Sequence, residues 1–182
     1  NYLLREGVLL KNPFAGLPLP KKDKYLPQIL SVDEIKTLLE SPMSYAEVDK
    51  GRKGSASFLA YSVVRDAAIL ELLYSTGIRL NELITLEEKQ VDLLSGYIKV
   101  RGKGKKERIC PLGNPASKAL MVALEMRDLF HLSLAGRGKA PGIFLNKNGG
   151  ILSARSVQRM MEKYLRHTDL NPGLSPHSLR HS

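Results

Sequence analysis

The 182-residue sequence is 43% hydrophobic, enough to bury the core of one domain with an attached segment. Its 28 Lys and Arg against 18 Asp and Glu give a formal net charge of +10, which favours a polyanionic partner, nucleic acid first and an anionic membrane surface second. The lone cysteine, Cys110, excludes an intramolecular disulfide and a cysteine-based metal cluster, no apolar run approaches the ~20 residues of a membrane span, and no signal peptide is visible, so a reducing, cytoplasmic setting is the default.

The opening stretch, NYLLREGVLLKNPFAGLPLPKKDKYLP, reads as the end of a helix running into a linker, because Pro13, Pro18, Pro20 and Pro27 deny it regular structure. A start inside a helix leads to the expectation of a segment upstream. SVDEIKTLLE then opens a compact domain: Ser31 caps the helix, Glu34 completes a capping box, and Ile35, Leu38 and Leu39 form the buried stripe. Residues 41 to 61 have no clear period and carry small and charged residues, the pattern of a loop. SVVRDAAILELLYSTG is so densely apolar from Val64 to Leu73 that its helix is expected to be mostly buried, with Gly77 as a left-handed cap. A short helix, RLNELITL, follows at once.

SGYIKVRGKGKKERICPL, residues 95 to 112, alternates with period two on both sides of a Gly-Lys-Gly turn, which predicts a β-hairpin with Lys103 at its tip. Asn114 and Pro115 start a helix to about Phe130, GRGKAPG is a loop, IFLN a short strand and NGG a turn. Ser153 caps ARSVQRMMEKYLRH, which places Val157, Met160, Met161, Tyr164 and Leu165 on one face and a basic stripe of Arg155, Arg159, Lys163 and Arg166 on the other. That stripe, with the hairpin lysines Lys105 and Lys106, is the expected nucleic-acid contact. The predicted fold is mainly α-helical with a small antiparallel β-sheet.

Three clusters carry chemistry: TGIRLNEL around Arg79, RGKGKKER around Lys103, and HSLRH around His177 and Arg180. Arg79 and Glu82 are three apart, so Glu82 can hold the guanidinium rigid, although an ordinary surface ion pair has the same spacing. Lys103 on its turn can meet a phosphate or a leaving group, although a lysine-rich turn is more often simply solvated. Pro176 at a first helical position puts His177 and Arg180 together on one turn, where the helix N-terminus also favours an anion. A metal reading of His177 and His181 lacks the intervening glutamate of zinc proteases and a third ligand. Two arginines, a lysine and a histidine without clustered acids describe a site that stabilises a pentavalent phosphate without a divalent ion.

In this order and at this spacing, TGIRLNEL, GYIKVRGKGKKERICPLG and LSPHSLRHS closely resemble the catalytic domain of the tyrosine recombinases of the phage integrase family, especially the bacterial Xer-type enzymes. The resemblance runs from about residue 12 to the end and includes a stretch similar to the family's interdomain linker. It divides the chain into the last turns of an N-terminal DNA-clamping domain (1–11), a linker (12–27) and a catalytic domain (28–182) without its C-terminal part. It implies that Arg79 and Arg180 grip the non-bridging oxygens of a scissile DNA phosphate and that Glu82 supports Arg79. Lys103 would protonate the departing 5′ oxygen, His177 would take the nucleophile's proton or bond the phosphate, and His181 would be structural. No metal or nucleotide cofactor is implied; the implied partners are double-stranded DNA and further recombinase protomers, assembled as a tetramer on paired DNA sites.

The family's tyrosine nucleophile lies several tens of residues beyond the HSLRH motif, whereas all seven tyrosines of this sequence precede it. Residues 1–182 are therefore expected to lack the nucleophile and to be inactive alone. The 44 to 60 segment also looks longer than the usual Xer connection. Chromosome-dimer resolution by a Xer-type pair is the first expectation, phage or mobile-element integration the second. A non-catalytic DNA-binding fragment and a type IB topoisomerase are the readings outside that class.

Overall fold

The computed structural model describes residues 2–13, 16, 30–49, 51, 54–102, 107–134 and 140–181, without the side chain of His181. A four-residue helix, α1 (Tyr2–Arg5), buries none of its residues. Most of the expected linker lies outside the described residues.

Helix α2 (Val32–Val48) begins as its capping box dictates: Ser31 Oγ accepts from the Glu34 amide at 3.3 Å, and Glu34 Oε2 accepts from the Ser31 amide at 2.8 Å. Hydrogen bonds to the Glu34 carboxyl from the Ser31 backbone first, and from its side chain second, favour the ionised form and lower the pKa of Glu34. The helix does not stop at residue 40. It runs through Pro42 to Val48, which corrects the loop expected from residue 41. Proline has no amide to give to the carbonyl four residues back, and Ser41 Oγ donates to that Leu38 carbonyl instead, at 2.6 Å. Beyond the proline, Tyr45 packs edge-on against Tyr164 and His167, with centroids 5.8 and 5.2 Å away. Tertiary contacts thus extend a helix that periodicity alone would end.

Helix α3 (Ala56–Thr76) also starts before the expected residue 62, because Ser55 caps it by accepting from the Phe58 amide. It ends as predicted at Gly77, which adopts the left-handed conformation at φ 56°. α3 is the central element and packs most extensively on α5 (Asn114–Leu132) and α2. Its Ile69, Leu70, Leu72 and Leu73 are fully buried with Leu38 of α2 and Leu120 of α5. Each such side chain contributes about 2 kcal/mol of apolar burial. α6 (Ala154–His167) closes the core through Val157, Met161 and Leu165. A smaller cluster stacks Tyr61 on Phe130 at 5.3 Å, and the Tyr61 hydroxyl accepts from the Leu145 amide; burial pushes its pKa up to about 12.

The short helix α4 (Leu80–Ile84) leads into a three-stranded antiparallel sheet, β1 (Val91–Asp92), β2 (Tyr97–Arg101) and β3 (Glu107–Pro111), in that order. The expected hairpin is β2–β3; its turn, residues 103 to 106, lies outside the described residues. β1 is too short to show a period. The register pairs Ile98 with Cys110 and Val100 with Arg108, so Arg108 sits on the face that carries buried Ile98, Val100 and Cys110. The strand expected at IFLN reduces to a single bridge, Leu145 to Ile151, which flanks the predicted turn, while Gly142 just before it bridges to Glu87. The chain closes with α7 (Pro176–His181), packed on α3. Among the described residues, no helix is long and apolar enough to cross a membrane.

Candidate active site

Arg79 follows the left-handed Gly77 and the buried Ile78 and serves as N-cap of α4, so it stands just outside the helix on which Glu82 lies in the first turn. Glu82 Oε2 accepts from the Arg79 amide at 2.7 Å, and Oε1 accepts from Arg79 Nη1 at 3.2 Å. Arg108 of β3 donates to the same carboxylate from the other side, Nη1 to Oε1 and Nη2 to Oε2, both at 2.8 Å. The four donors fill the lone-pair positions of a side chain only 7% exposed. The Arg108 bonds, ahead of those from Arg79 and against the effect of burial, lower the Glu82 pKa to about 2, and the Arg108 pKa rises in return. Glu82 is a fixed anion that holds Arg79 by its backbone and its guanidinium, which is itself 55% exposed.

α7 begins at Pro176, as its sequence predicts, and presents His177 to solvent. One turn later Arg180 folds back over the end of α3, its Cγ 3.5 Å from where a Cβ on Gly77 would stand. Arg180 Nη1 is buried and, among the described residues, has no hydrogen-bond partner. A buried cationic donor without an acceptor is costly and marks a place that an anion would complete. Arg79, Glu82, Arg101, Gly102, Gln158 and His177 line one cleft of about 670 Å³. The structure thus brings Arg79 and His177 to a common space, with Arg180 against the chain two residues before Arg79. Lys103, Lys105 and Lys106 lie outside the described residues, as does the side chain of His181.

The basic stripe of α6 is not uniform in its exposure. Arg155, Arg159 and Arg166 are exposed, whereas Lys163 is half-buried. Its Nζ lies 2.9 Å from the Tyr164 hydroxyl, 3.5 Å from Asp66 Oδ2 and 4.8 Å from the centre of the Tyr45 ring. Asp66 is 2% exposed, and a carboxylate that far from water recruits cations. Lys163 is drawn inward to answer it. Sequence reasoning also missed Arg108, although a cation at an inward position of an alternating strand is the mark of a buried acidic partner. Among the described residues there is no group of three or more His, Cys, Asp or Glu that could hold a metal ion.

The Phage integrase family model matches residues 30–182. Tyrosine recombinase XerC of Syntrophus aciditrophicus (strain SB) is 41% identical over 182 residues, covering 100% of this chain and 54% of the relative. Tyrosine recombinase XerD of Staphylococcus epidermidis (strain RP62A) is 35% identical over 181 residues, covering 100% of this chain and 56% of the relative. The chain spans about half the length of the curated relatives it matches. The crystal structure of XerA recombinase superposes with a TM-score of 0.65 at 27% identity, over 99% of this chain and 57% of that one. XerH bound to difH in a pre-cleavage complex shares the fold, with a TM-score of 0.66 at 24% identity over 87% of this chain and 42% of that one. With five-sixths of its length matched and its helices and sheet arranged as in these neighbours, the chain belongs to the phage integrase family, the tyrosine recombinases.

Proposed function

We propose that residues 30–182 form the phosphate-binding part of the catalytic domain of a site-specific DNA recombinase. The observation that carries this is the buried Nη1 of Arg180, which has no hydrogen-bond partner among the described residues and belongs to a side chain lying against Gly77, two residues before the exposed Arg79 that Glu82 holds. Two guanidinium groups there would bind the non-bridging oxygens of a scissile phosphate and stabilise the extra charge of its pentavalent transition state. A tyrosine C-terminal to the HSLRH motif attacks the phosphorus, the bond to the 5′ oxygen breaks, and a 3′-phosphotyrosyl link keeps the bond energy for rejoining. Lys103 gives the departing 5′ oxygen its proton; His177 takes the tyrosine's proton or bonds the phosphate. His181 is structural. The chemistry needs no cofactor.

Double-stranded DNA is the partner, contacted by Arg155, Arg159 and Arg166 and by Lys105 and Lys106, with a tetramer of protomers on paired sites. The names of the 34–41% identical relatives, tyrosine recombinases XerC and XerD, favour a Xer-type enzyme over a phage or mobile-element integrase, and the role we assign to such an enzyme is chromosome-dimer resolution in the cytoplasm. Duplexes nicked near the cleavage point trap covalent intermediates and test the reading. The full-length gene product should form a protein–DNA adduct, and residues 1–182 alone should bind the duplex without one. An adduct formed by residues 1–182 would overturn the assignment, since none of the seven tyrosines follows Arg180.

A further inference from the structure

Arg108 has no place in the roles assigned above, yet it makes the strongest contact in the site. We propose that Arg108 is a positioning residue for phosphoryl transfer, acting through Glu82 to orient Arg79 and to leave the charge of Arg79 available; this rests on the recombinase reading.

The geometry points to orientation first. Glu82 has four acceptor positions, and Arg108 Nη1 and Nη2 fill one on each oxygen at 2.8 Å while the Arg79 amide and Nη1 fill the others. Without the fork from Arg108, the carboxylate can turn about its own bonds and Arg79 loses its fixed direction. A phosphate-gripping arginine misplaced by an ångström loses much of its effect. Charge points the same way. Arg79 and Glu82 alone sum to zero, and Arg108 raises the triad to +1, so Glu82 steadies Arg79 without cancelling its pull on an anion. The span of the contact gives it reach. Arg108 stands on β3, 26 residues after Glu82, and therefore ties the hairpin to the α4 cap. The strand that follows the Lys103 turn and the loop that bears Arg79 are joined at one carboxylate.

The test uses the full-length gene product with Arg108→Lys and Arg108→Gln, measuring duplex affinity and the rate of adduct formation on nicked DNA from pH 5 to 8. Arg108→Lys keeps the charge and loses the fork: affinity should stay within about twofold while the cleavage rate falls roughly tenfold. Arg108→Gln loses both, and its rate should fall by about a hundredfold or more. Its deficit relative to the parent should widen as the pH drops towards 5, because Glu82 returns to the ordinary carboxylate range near ~4.3 and begins to protonate. A purely structural loss would leave that ratio flat. Should Arg108→Gln fail to fold, the split between rate and affinity in Arg108→Lys decides the matter alone. A parent that forms adducts and variants that match it in rate and pH profile overturn the proposal by itself; a parent that forms none overturns the recombinase reading and the proposal with it.

Discussion

Tyr164 donates its hydroxyl to Asp66 Oδ2 across 2.7 Å, joining residues 98 positions apart. The other oxygen of Asp66 accepts from Arg65 Nε and Nη2 at 2.9 and 2.6 Å, and Arg65 Nη1 donates to the Leu145 carbonyl at 2.8 Å. One buried carboxylate thus fastens α6 and the segment around Leu145 to α3. Tyr164→Phe should cost about 1.5–3 kcal/mol, the value of a hydrogen bond to a charged group. Asp66→Ala should cost about 3–5 kcal/mol, because it leaves Arg65 buried and unpaired. Urea denaturation of the two variants tests the order; equal losses would contradict it.

Glu82 makes stability depend on acid. Its folded pKa is about 2 and its unfolded value is ordinary, so its contribution is present above the carboxylate range and drains away as the pH falls towards 2. The contribution at neutral pH is about 3 kcal/mol. Urea midpoints of the parent and Glu82→Gln should be well separated at pH 7, draw together below the ordinary carboxylate range and converge only as the pH approaches 2. A separation undiminished between pH 7 and pH 2 would show that the carboxylate's charge is not what stabilises the cap.

Arg180 should show the opposite balance. Removing a buried donor that has no partner among the described residues relieves a cost, so Arg180→Met is expected to be neutral or more stable, by up to about 1 kcal/mol, while losing cleavage by the full-length gene product. Inorganic phosphate should raise the thermal midpoint of the parent and leave that of Arg180→Met nearly unchanged. Equal stabilisation of both would place the anion elsewhere.

Gly77 turns the chain from α3 to Arg79 at φ 56°, a conformation that costs an alanine about 1 kcal/mol. Its Cβ would meet only Arg180 Cγ at 3.5 Å, an ordinary contact, so Gly77→Ala should lose that stability and keep DNA cleavage. Gly77→Val adds bulk against Arg180 and should lose cleavage as well. Thermal midpoints and adduct yields separate the two effects.

The α6 stripe divides by salt dependence. Arg159→Ala and Arg166→Ala should each reduce the slope of log affinity against log salt by about 1, the loss of one phosphate contact. Lys163→Ala, whose ammonium faces Asp66 and the Tyr164 hydroxyl, should lower stability and leave the slope alone. A slope change at Lys163 would mean that DNA draws it outward.

What could be read in advance follows from range. Ser31, Gly77, Ser153 and Pro176 act within a turn of themselves, and each marks a helix boundary where local chemistry predicts one. The second half of α2 was illegible because Pro42 breaks its pattern and the rings that hold it, Tyr164 and His167, lie over a hundred residues on. The three motifs pointed to Arg79, His177 and Arg180, and the cleft and the α7 packing account for two of them meeting and the third standing close. Arg108 escaped notice since its value depends on strand register, and Lys163 because nothing local announces the distant buried Asp66.

The pairing of Val100 with Arg108 also bears on misfolding. Side chains along a strand change face at every residue, so a hairpin slipped by one position would turn Glu107 or Ile109 towards Glu82 in place of Arg108. The first would repel the carboxylate and the second would leave it unanswered. An error in register therefore does not stay within the hairpin: a protomer whose strands have paired wrongly also loses the fork that holds Glu82, and with it the fixed direction of Arg79.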